Sequence, residues 1–348
     1  MPLSKNSGAF PACFVEMPAN AEGRRAPFYL AAEEYIAQTL PDTDDYLFTW
    51  QLSPTVVMGR NQIAHQEFDL DFCRREGIDI VRRKSGGGAI FADNNNIMIS
   101  LVTGAGAVEP IFEQYATTVA AGLQSLGAPA EVSGRNDIVL RGGGKICGNA
   151  FYHQPGRNIV HGTMLYDTDP RLMSGALCPA QEKLKAKGVA SVRSRISLLK
   201  DYLTMGTECL RTELRKILTN RHIALTDADV RRIEEMAKAY DDPQYLFSRT
   251  TASSEAVRGG RIEGCGRIEI HFMLSGSIVE DIALTGDFFE TGDALAAFRR
   301  AFCGRPFVVA SLLEGIKAEH PETTLRGMTE ESLAALLQSR DEANAPAE

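Results

Sequence analysis

Apolar positions in the first two thirds of the chain come mostly in short runs broken by turn formers. Pro27–Leu40 is the first exception. It reads as a helix, with proline near its start and Glu33 and Glu34 inside. Tyr46–Leu52 and Thr55–Met58 read as strands split by Ser53-Pro54. Ile78–Arg83 and Ala89–Phe91 flank a glycine run, Asp93 to Asn96 makes a turn, and Ile97–Val102 is a further strand. Ile111–Leu126 reads as a helix stopped by Gly127, with Pro129 just beyond. Asp137–Leu140, Lys145–His153 and Asn158–Tyr166 alternate as strands do, with Gly142-Gly143-Gly144 and Pro155-Gly156 as the turns between them. Residues 1–25 read as an irregular surface segment.

After Asp169 the pattern turns helical, with dense charge between apolar residues, up to about Tyr240. Asp241-Asp242-Pro243 breaks it. Ile268, Ile270, Phe272 and Leu274 then alternate, giving a strand with one buried face. Ser275-Gly276 turns it into a second strand, Ile278–Leu284. Asp293 caps a helix carrying Leu295, Phe298 and Phe302 on one face. The prediction is an α+β protein. A large domain over residues 1–245 has mixed, mainly antiparallel sheets packed with helices. A small α+β domain covers 246–340, and 341–348 is a frayed tail. The regular strand–helix alternation of a doubly wound sheet is missing.

Composition adds exclusions. With 348 residues, 44% hydrophobic and 24% charged, the chain has the make-up of an ordinary soluble globular protein. A net charge of −8 argues against a dedicated nucleic-acid binder. Seven cysteines, an odd count without a Cys-x-x-Cys pair, fit thiols in a reducing cytoplasm better than a disulfide framework or a zinc site. No apolar run is long enough to span a membrane and no signal peptide is evident, so a cytoplasmic location is expected.

Four segments could carry chemistry. Arg82-Arg83-Lys84-Ser85 leads into Gly86-Gly87-Gly88 at the end of a strand. Cations beside a glycine loop suit a phosphate or a carboxylate, and the alternative is a tight hairpin with solvated charges. The second segment is Gly134-Arg135-Asn136-Asp137 followed by Gly142-Gly143-Gly144-Lys145-Ile146-Cys147-Gly148-Asn149-Ala150. It is not a Walker loop, because Lys145 is followed by Ile146 and the segment reads as strand. Period-two geometry places Lys145, Cys147, Asn149 and Phe151 on one face. A buried lysine needs an anion or acceptor, whereas a strand-edge lysine is simply solvated. The third segment, His161-Gly162-Thr163, lines a pocket or is an ordinary hydrogen-bonded histidine. The fourth, the basic run Lys183 to Ile196, is a solvated helix face or closes over a polyanion.

Arg-Arg-x-Ser-Gly-Gly-Gly-Ala, Gly-Arg-Asn-Asp, Lys-Ile-x-Gly-Asn-Ala, His-Gly-Thr-x-Leu and Lys-Gly-x-x-Ser-Val-Arg-Ser-Arg occur in that order. Together, over about residues 27–200, they resemble lipoate–protein ligase of the biotin/lipoate ligase superfamily. The segments Gly266 to Phe272 and Ile282 to Phe289 look like that family's accessory C-terminal domain. The resemblance implies a biotin/lipoate ligase-like fold and an enzyme that joins ATP to lipoate. It would release pyrophosphate, hold lipoyl-AMP and pass the lipoyl group to a carrier lysine. Implied cofactors are ATP and Mg²⁺. Implied partners are the lipoyl domains of 2-oxoacid dehydrogenase E2 subunits or the glycine-cleavage H protein, with no nucleic acid and no membrane.

The resemblance also implies roles. Lys145 would bridge the acyl carbonyl and α-phosphate oxygens, and Arg83 would bind the acyl or adenylate portion. Gly88, Ala89, Ile90 and Phe91 would hold the nucleotide through their backbone. Asn136 and Asp137 would contact the nucleotide or its metal, with Asp137 the Mg²⁺ ligand. His161 would sit by the acyl pocket. A loop carrying Lys187, Arg193 and Arg195 would cover the adenylate, because a mixed anhydride hydrolyses in open water. One departure stands out. Cys178 precedes Pro179, and related octanoyl or lipoyl transferases use a cysteine nucleophile in a comparable region without ATP. That is the alternative enzyme reading, and a non-catalytic lipoyl-binding relative is the second. Retention of Arg83 and Lys145 speaks against the latter, and the Lys187–Arg195 signature favours ATP use.

Overall fold

In a computed structural model the chain is described over residues 12–106, 108–134, 137–177, 196–247 and 254–338. Its strands are, in chain order, β1 (Ala12–Glu16), β2 (Tyr46–Trp50), β3 (Thr55–Met58), β4 (Asp79–Arg82), β5 (Ile90–Ala92), β6 (Asn96–Gly104), β7 (Ala130–Ser133), β8 (Asp137–Leu140), β9 (Lys145–Gln154), β10 (Arg157–Leu165), β11 (Thr219–Ala224), β12 (Ala256–Ile262), β13 (Gly266–Ser275) and β14 (Ile278–Gly286). Contacts divide the chain into two compact units. One comprises Met1–Val56, Asp69–Val81 and Phe91–Asp241, and the other Val57–Phe68, Arg82–Ile90 and Asp242–Glu348. The chain passes from one unit to the other within β3 and β4 and beside β5, the members of a small sheet of order β4-β3-β5.

The first unit is built on an eight-stranded sheet of order β11-β1-β2-β6-β10-β9-β8-β7. Pairing is antiparallel except where β1 runs parallel to β11 and to β2. Every residue of β2 and β10 is buried, as expected of central strands. The helix Ala26–Thr39 carries Pro27 in its first turn and ends where Pro41 forces Leu40 into an extended conformation. It packs on β6, β10 and the helix Asp227–Ala237, whose first turn is closed by a Thr226–Asp229 capping box.

Three strands of this sheet escape the hydrophobic pattern, among them β7, exposed over its last three residues. Residues 12–16, expected to be irregular, form β1, with Ala12, Cys13 and Val15 buried. The stretch from Asp169 to Tyr240, expected to be helical, contains β11, Thr-Asn-Arg-His-Ile-Ala, at the sheet edge. β11 is polar and mostly exposed, so its pairing with β1, not its own composition, makes it a strand.

In the second unit, β12, β13 and β14 form an antiparallel sheet. Ile268, Ile270 and Phe272 are fully buried in its core with Phe298 and Phe302 of the helix Ala294–Phe302, the alternation expected from sequence. Asp293 caps that helix, accepting from Ala296 N at 3.1 Å. β12 is an addition to the expected strand pair, hidden in sequence by Gly259-Gly260. A Cβ on Gly259 would lie 2.7 Å from Cγ of Glu269, its cross-strand partner.

Candidate functional site

One face of the large sheet gathers the chemistry of the first unit. On β10, His161 pairs with Ala150 of β9 and Ser100 of β6, and Thr163 pairs with Gly148 and Met98. Directly opposed residues share a face, so Gly148, Ala150, Thr163 and His161 lie together. On β9 the strip carries only the small residues Gly148 and Ala150. Its two ends, at Gly148 and Ala150, are about 7 Å apart along the strand.

Lys145 stands at the Gly148 end. Its Nζ lies 2.7 Å from Asp137 Oδ1, each side chain about one third exposed. The register between β8 and β9 shifts between Ile138 and Val139, so Asp137 opposes Gly148 and Val139 opposes Lys145. This bulge corrects the expected parity. Lys145 does not share a face with Cys147 and Asn149. It leans over Gly148, where a Cβ would be 2.4 Å from Nζ. Cys147 and Asn149 point the other way, toward Gly162, where a Cβ would be 2.2 Å from Asn149 Oδ1 and 3.2 Å from Cys147 Sγ. Burial pushes the Cys147 thiol up to about 12, against a smaller opposing effect of Lys145. This cysteine is therefore a packed thiol.

His161 stands at the other end. Its Nδ1 faces both oxygens of Glu33 at 3.0 and 3.1 Å. Glu33 is fully buried and also accepts from Ser100 Oγ at 2.6 Å, and Ser100 accepts from Trp50 Nε1 at 2.9 Å. The buried Glu33 carboxyl thus holds the imidazole through Nδ1 and fixes the orientation of the ring. Sequence reasoning missed Glu33, Ser100 and Trp50. Glu33 carried a signal, an acid inside an apolar helix. The adjacent Glu34 is buried too and accepts from the Tyr240 hydroxyl, whose own ionisation is pushed up first by burial.

The glycine loop belongs to the second unit. Arg82 is buried and donates to five main-chain carbonyls, those of Gly59, Arg60, Gln62, Tyr245 and Leu246. Arg83, also buried, donates to Ser85 Oγ at 2.9 Å and to the carbonyls of Val57 at 3.1 Å, Gly86 at 2.7 Å and Gly88 at 2.9 Å. The two arginines thus organise the loop from inside. Gly86 and Gly87 are buried, whereas Gly88, Ala89 and Ile90 are half-buried and present backbone.

Asp137, Lys145 and His161 therefore lie on one sheet, with Phe91 buried in the same unit, and Arg83, Gly88, Ala89 and Ile90 belong to the other. Asn136, Cys178, Lys187, Arg193 and Arg195 lie outside the described residues. Mg²⁺ is commonly held by one or two carboxylates together with substrate phosphates. Asp137, partly exposed beside Lys145, fits that donor set. Among the described residues no helix is long and apolar enough to cross a membrane.

The chain is similar to known proteins over most of its length. Residues 25–219 match the lipoyl protein ligase A/B catalytic domain, and residues 253–337 match the bacterial lipoate protein ligase C-terminus. Lipoate-protein ligase LplJ of Bacillus subtilis is 31% identical over 305 residues, 84% of this chain and 91% of that protein. Lipoate–protein ligase 1 of Staphylococcus aureus is 31% identical over 76% of this chain and 82% of its own length. Among solved structures, P. falciparum LipL1 in complex with lipoate superposes with a TM-score of 0.72 at 16% identity, covering 94% of this chain and all of that one. A bipartite lipoate protein ligase from Thermoplasma acidophilum, described with its E2 lipoyl domain, has a TM-score of 0.61 at 24% identity, covering 69% of this chain and 98% of that one. A lipoate-protein ligase A bound with ATP has a TM-score of 0.58 at 22% identity, covering 68% of this chain and 98% of that one.

Proposed function

The chain belongs to the lipoate–protein ligase family, and from that premise we propose that it activates lipoate with ATP and transfers the lipoyl group to a carrier lysine. In the first step a lipoate carboxylate oxygen attacks the α-phosphorus, the α–β phosphoanhydride bond breaks and pyrophosphate leaves. In the second, the carrier amine attacks the acyl carbon of lipoyl-AMP, the bond to the phosphate oxygen breaks, and AMP leaves as the amine loses a proton. The first step brings two anions together, so its largest need is a fixed cation.

The observation that carries this reading is Lys145. Its ammonium, ion-paired with Asp137 Oδ1 at 2.7 Å and beside Gly148, has three donors. In the proposed step they meet the carboxylate and the α-phosphate. His161, held by Glu33, marks the acyl end. Asp137, with Asn136, would supply oxygen to Mg²⁺, which when bound offsets phosphate charge. Gly88, Ala89, Ile90 and Phe91 would meet the nucleotide through their backbone, and Arg83 would serve the acyl or adenylate portion through the loop it braces. Lys187, Arg193 and Arg195 would close over the adenylate. The ATP-bound and lipoate-bound relatives support this substrate pair. The archaeal ligase described with its E2 lipoyl domain supports a lipoyl domain as the carrier; a glycine-cleavage H protein is the other carrier this reading would take, with the cytoplasm as its compartment.

The test is lipoate-dependent exchange of labelled pyrophosphate into ATP. Wild type exchanges, and a folded Lys145→Ala does not. An active Lys145→Ala protein removes the role given to that lysine. Absence of exchange, together with acyl transfer from an octanoyl or lipoyl carrier that requires Cys178, would replace the ligase by a transferase.

A further inference from the structure

Two of the three loop glycines are explained by the protein itself. A Cβ on Gly86 would lie 2.3 Å from the carbonyl oxygen of Phe288. A Cβ on Gly87, whose φ is +88°, would lie 2.8 Å from the ring of Phe289. Gly87 N donates to Phe288 O at 3.0 Å. Gly88 differs, because a Cβ there would meet only Asp287 Cβ, at 4.0 Å. Its carbonyl accepts from Arg83 Nη2 at 2.9 Å, and packing against Phe288 and Phe289 does not account for its lack of a side chain.

The segment Gly286 to Glu290 is itself firmly held. Phe288 is fully buried in the core of the C-terminal sheet and helices, while Phe289, nearly as buried, turns its ring onto Gly87. Asp287 accepts from Arg267 N at 2.6 Å and from Arg261 Nη2 at 3.0 Å, and Asp287 N donates to Arg267 O at 3.0 Å. Gly286 N donates to Asn61 O at 2.9 Å, and Glu290 accepts from Asn61 Nδ2 at 2.9 Å and Arg60 Nη1 at 3.2 Å. The residues before the loop and the C-terminal segment are thereby fastened to one another.

We infer that Phe289 is a positioning residue for the ligase reaction, with Asp287 as its anchor. The Asp287–Phe289 segment clamps Gly86 and Gly87 so that the Gly88 backbone is presented to the nucleotide or acyl group. This deepens the proposed function and rests on its assignment of the loop to ligand binding. Arg83 Nη2 and the Phe289 ring both close around the space a Gly87 side chain would need, at 3.1 and 2.8 Å. Neither needs to touch the ligand.

The test uses the full chain. Amide hydrogen exchange is followed at Gly87 and, as an internal control, at Ile270 and Phe272, alongside the KM values for ATP and lipoate in pyrophosphate exchange. Phe289→Ala is expected to speed exchange at Gly87 by about tenfold or more with Ile270 and Phe272 unchanged, and to raise KM more than it lowers kcat. Phe289→Leu, which keeps apolar bulk on Gly87, is expected to restore most of both and serves if the alanine variant does not fold. Wild-type exchange at Gly87 in both variants would overturn the clamp. Gly88→Ala separates the two layers, since it leaves the Phe289 contact intact. If it raises KM while Phe289→Ala does not, the positioning role is wrong. If neither changes KM although Gly87 exchange rises, the loop is not a ligand site, and the assignment under the proposed function is what fails.

Discussion

Gly148→Ala is the most economical perturbation of the Lys145 site, because the new methyl would occupy the place of the ammonium. A Cβ there stands 2.4 Å from Nζ and 2.5 Å from Cε of Lys145, where ordinary contact needs roughly 3.5 Å. The lysine must therefore retreat by about 1 Å. The backbone does not object, since Gly148 is not among the positive-φ glycines. The ion pair with Asp137, about one third exposed on each side, is worth less than about 1 kcal/mol. Replacing a strand glycine by alanine returns a comparable 0.5–1 kcal/mol, roughly, in chain entropy. Thermal stability should stay within a few degrees. Activity should not, because a reacting group displaced by about 1 Å costs on the order of 100-fold, or about 2.7 kcal/mol of transition-state stabilisation. The readouts are kcat/KM in lipoate-dependent pyrophosphate exchange and Tm by calorimetry. Wild-type kcat/KM in a folded variant would refute the placement of Lys145 over Gly148. A Tm loss above about 10 °C would show that the methyl strikes the core and not a movable side chain.

Glu33→Gln keeps the shape of a fully buried side chain but leaves one oxygen where two accepted from His161 and Ser100. It should lower unfolding free energy by about 1.5–3 kcal/mol in urea and raise KM for lipoate, and unchanged values would remove Glu33 from the site. The Glu269 carboxyl, hydrogen-bonded first by His271 and then by Arg267, is held down at about 2 from an ordinary 4.5. Its contribution to stability is present above pH 4.5 and lost as pH falls toward 2. Glu269→Gln should flatten that part of the acid-unfolding curve, and an unaltered acid limb would contradict the pairing. A maleimide probe at neutral pH should label exposed Cys209 and spare Cys147, whose buried thiol stays protonated, and labelling of Cys147 in the native protein would disprove its burial.

Much of the fold was legible because local signals agreed with the final structure. Proline-started and glycine-stopped helices, and the alternation Ile268, Ile270, Phe272, were read from the chain alone. β1 and β11 were not, because their identity lies in parallel pairing between distant segments and leaves little trace in either one. The parity of Lys145 was misread for a related reason. A one-residue register shift in β8–β9 inverts the face of everything before it, and no composition signal marks it. The loop 82–91 was singled out in the sequence, and two of its cations, Arg82 and Arg83, proved to be the loop's own internal ties. Arg82 and Arg83 donate inward to carbonyls, and two of three glycines answer to Phe288 and Phe289. Residue type suggested a place for an anion, and only three-dimensional packing shows that both arginines are spent on main-chain carbonyls.

The parallel pairing of β1 with β11 also has a kinetic side. Ala12 is in register with Thr219, so this ladder joins segments separated by about 200 residues. β1 meets β2 over only two register positions but follows β11 along its whole length. During synthesis, the outer edge of β1 lacks this partner until residues 219–224 have emerged. Such long-range closure is slow, and an apolar strand edge left open meanwhile is a template for intermolecular pairing. Truncations that stop before β11 should therefore yield inclusion bodies, even though they retain Lys145, His161 and every glycine of the site.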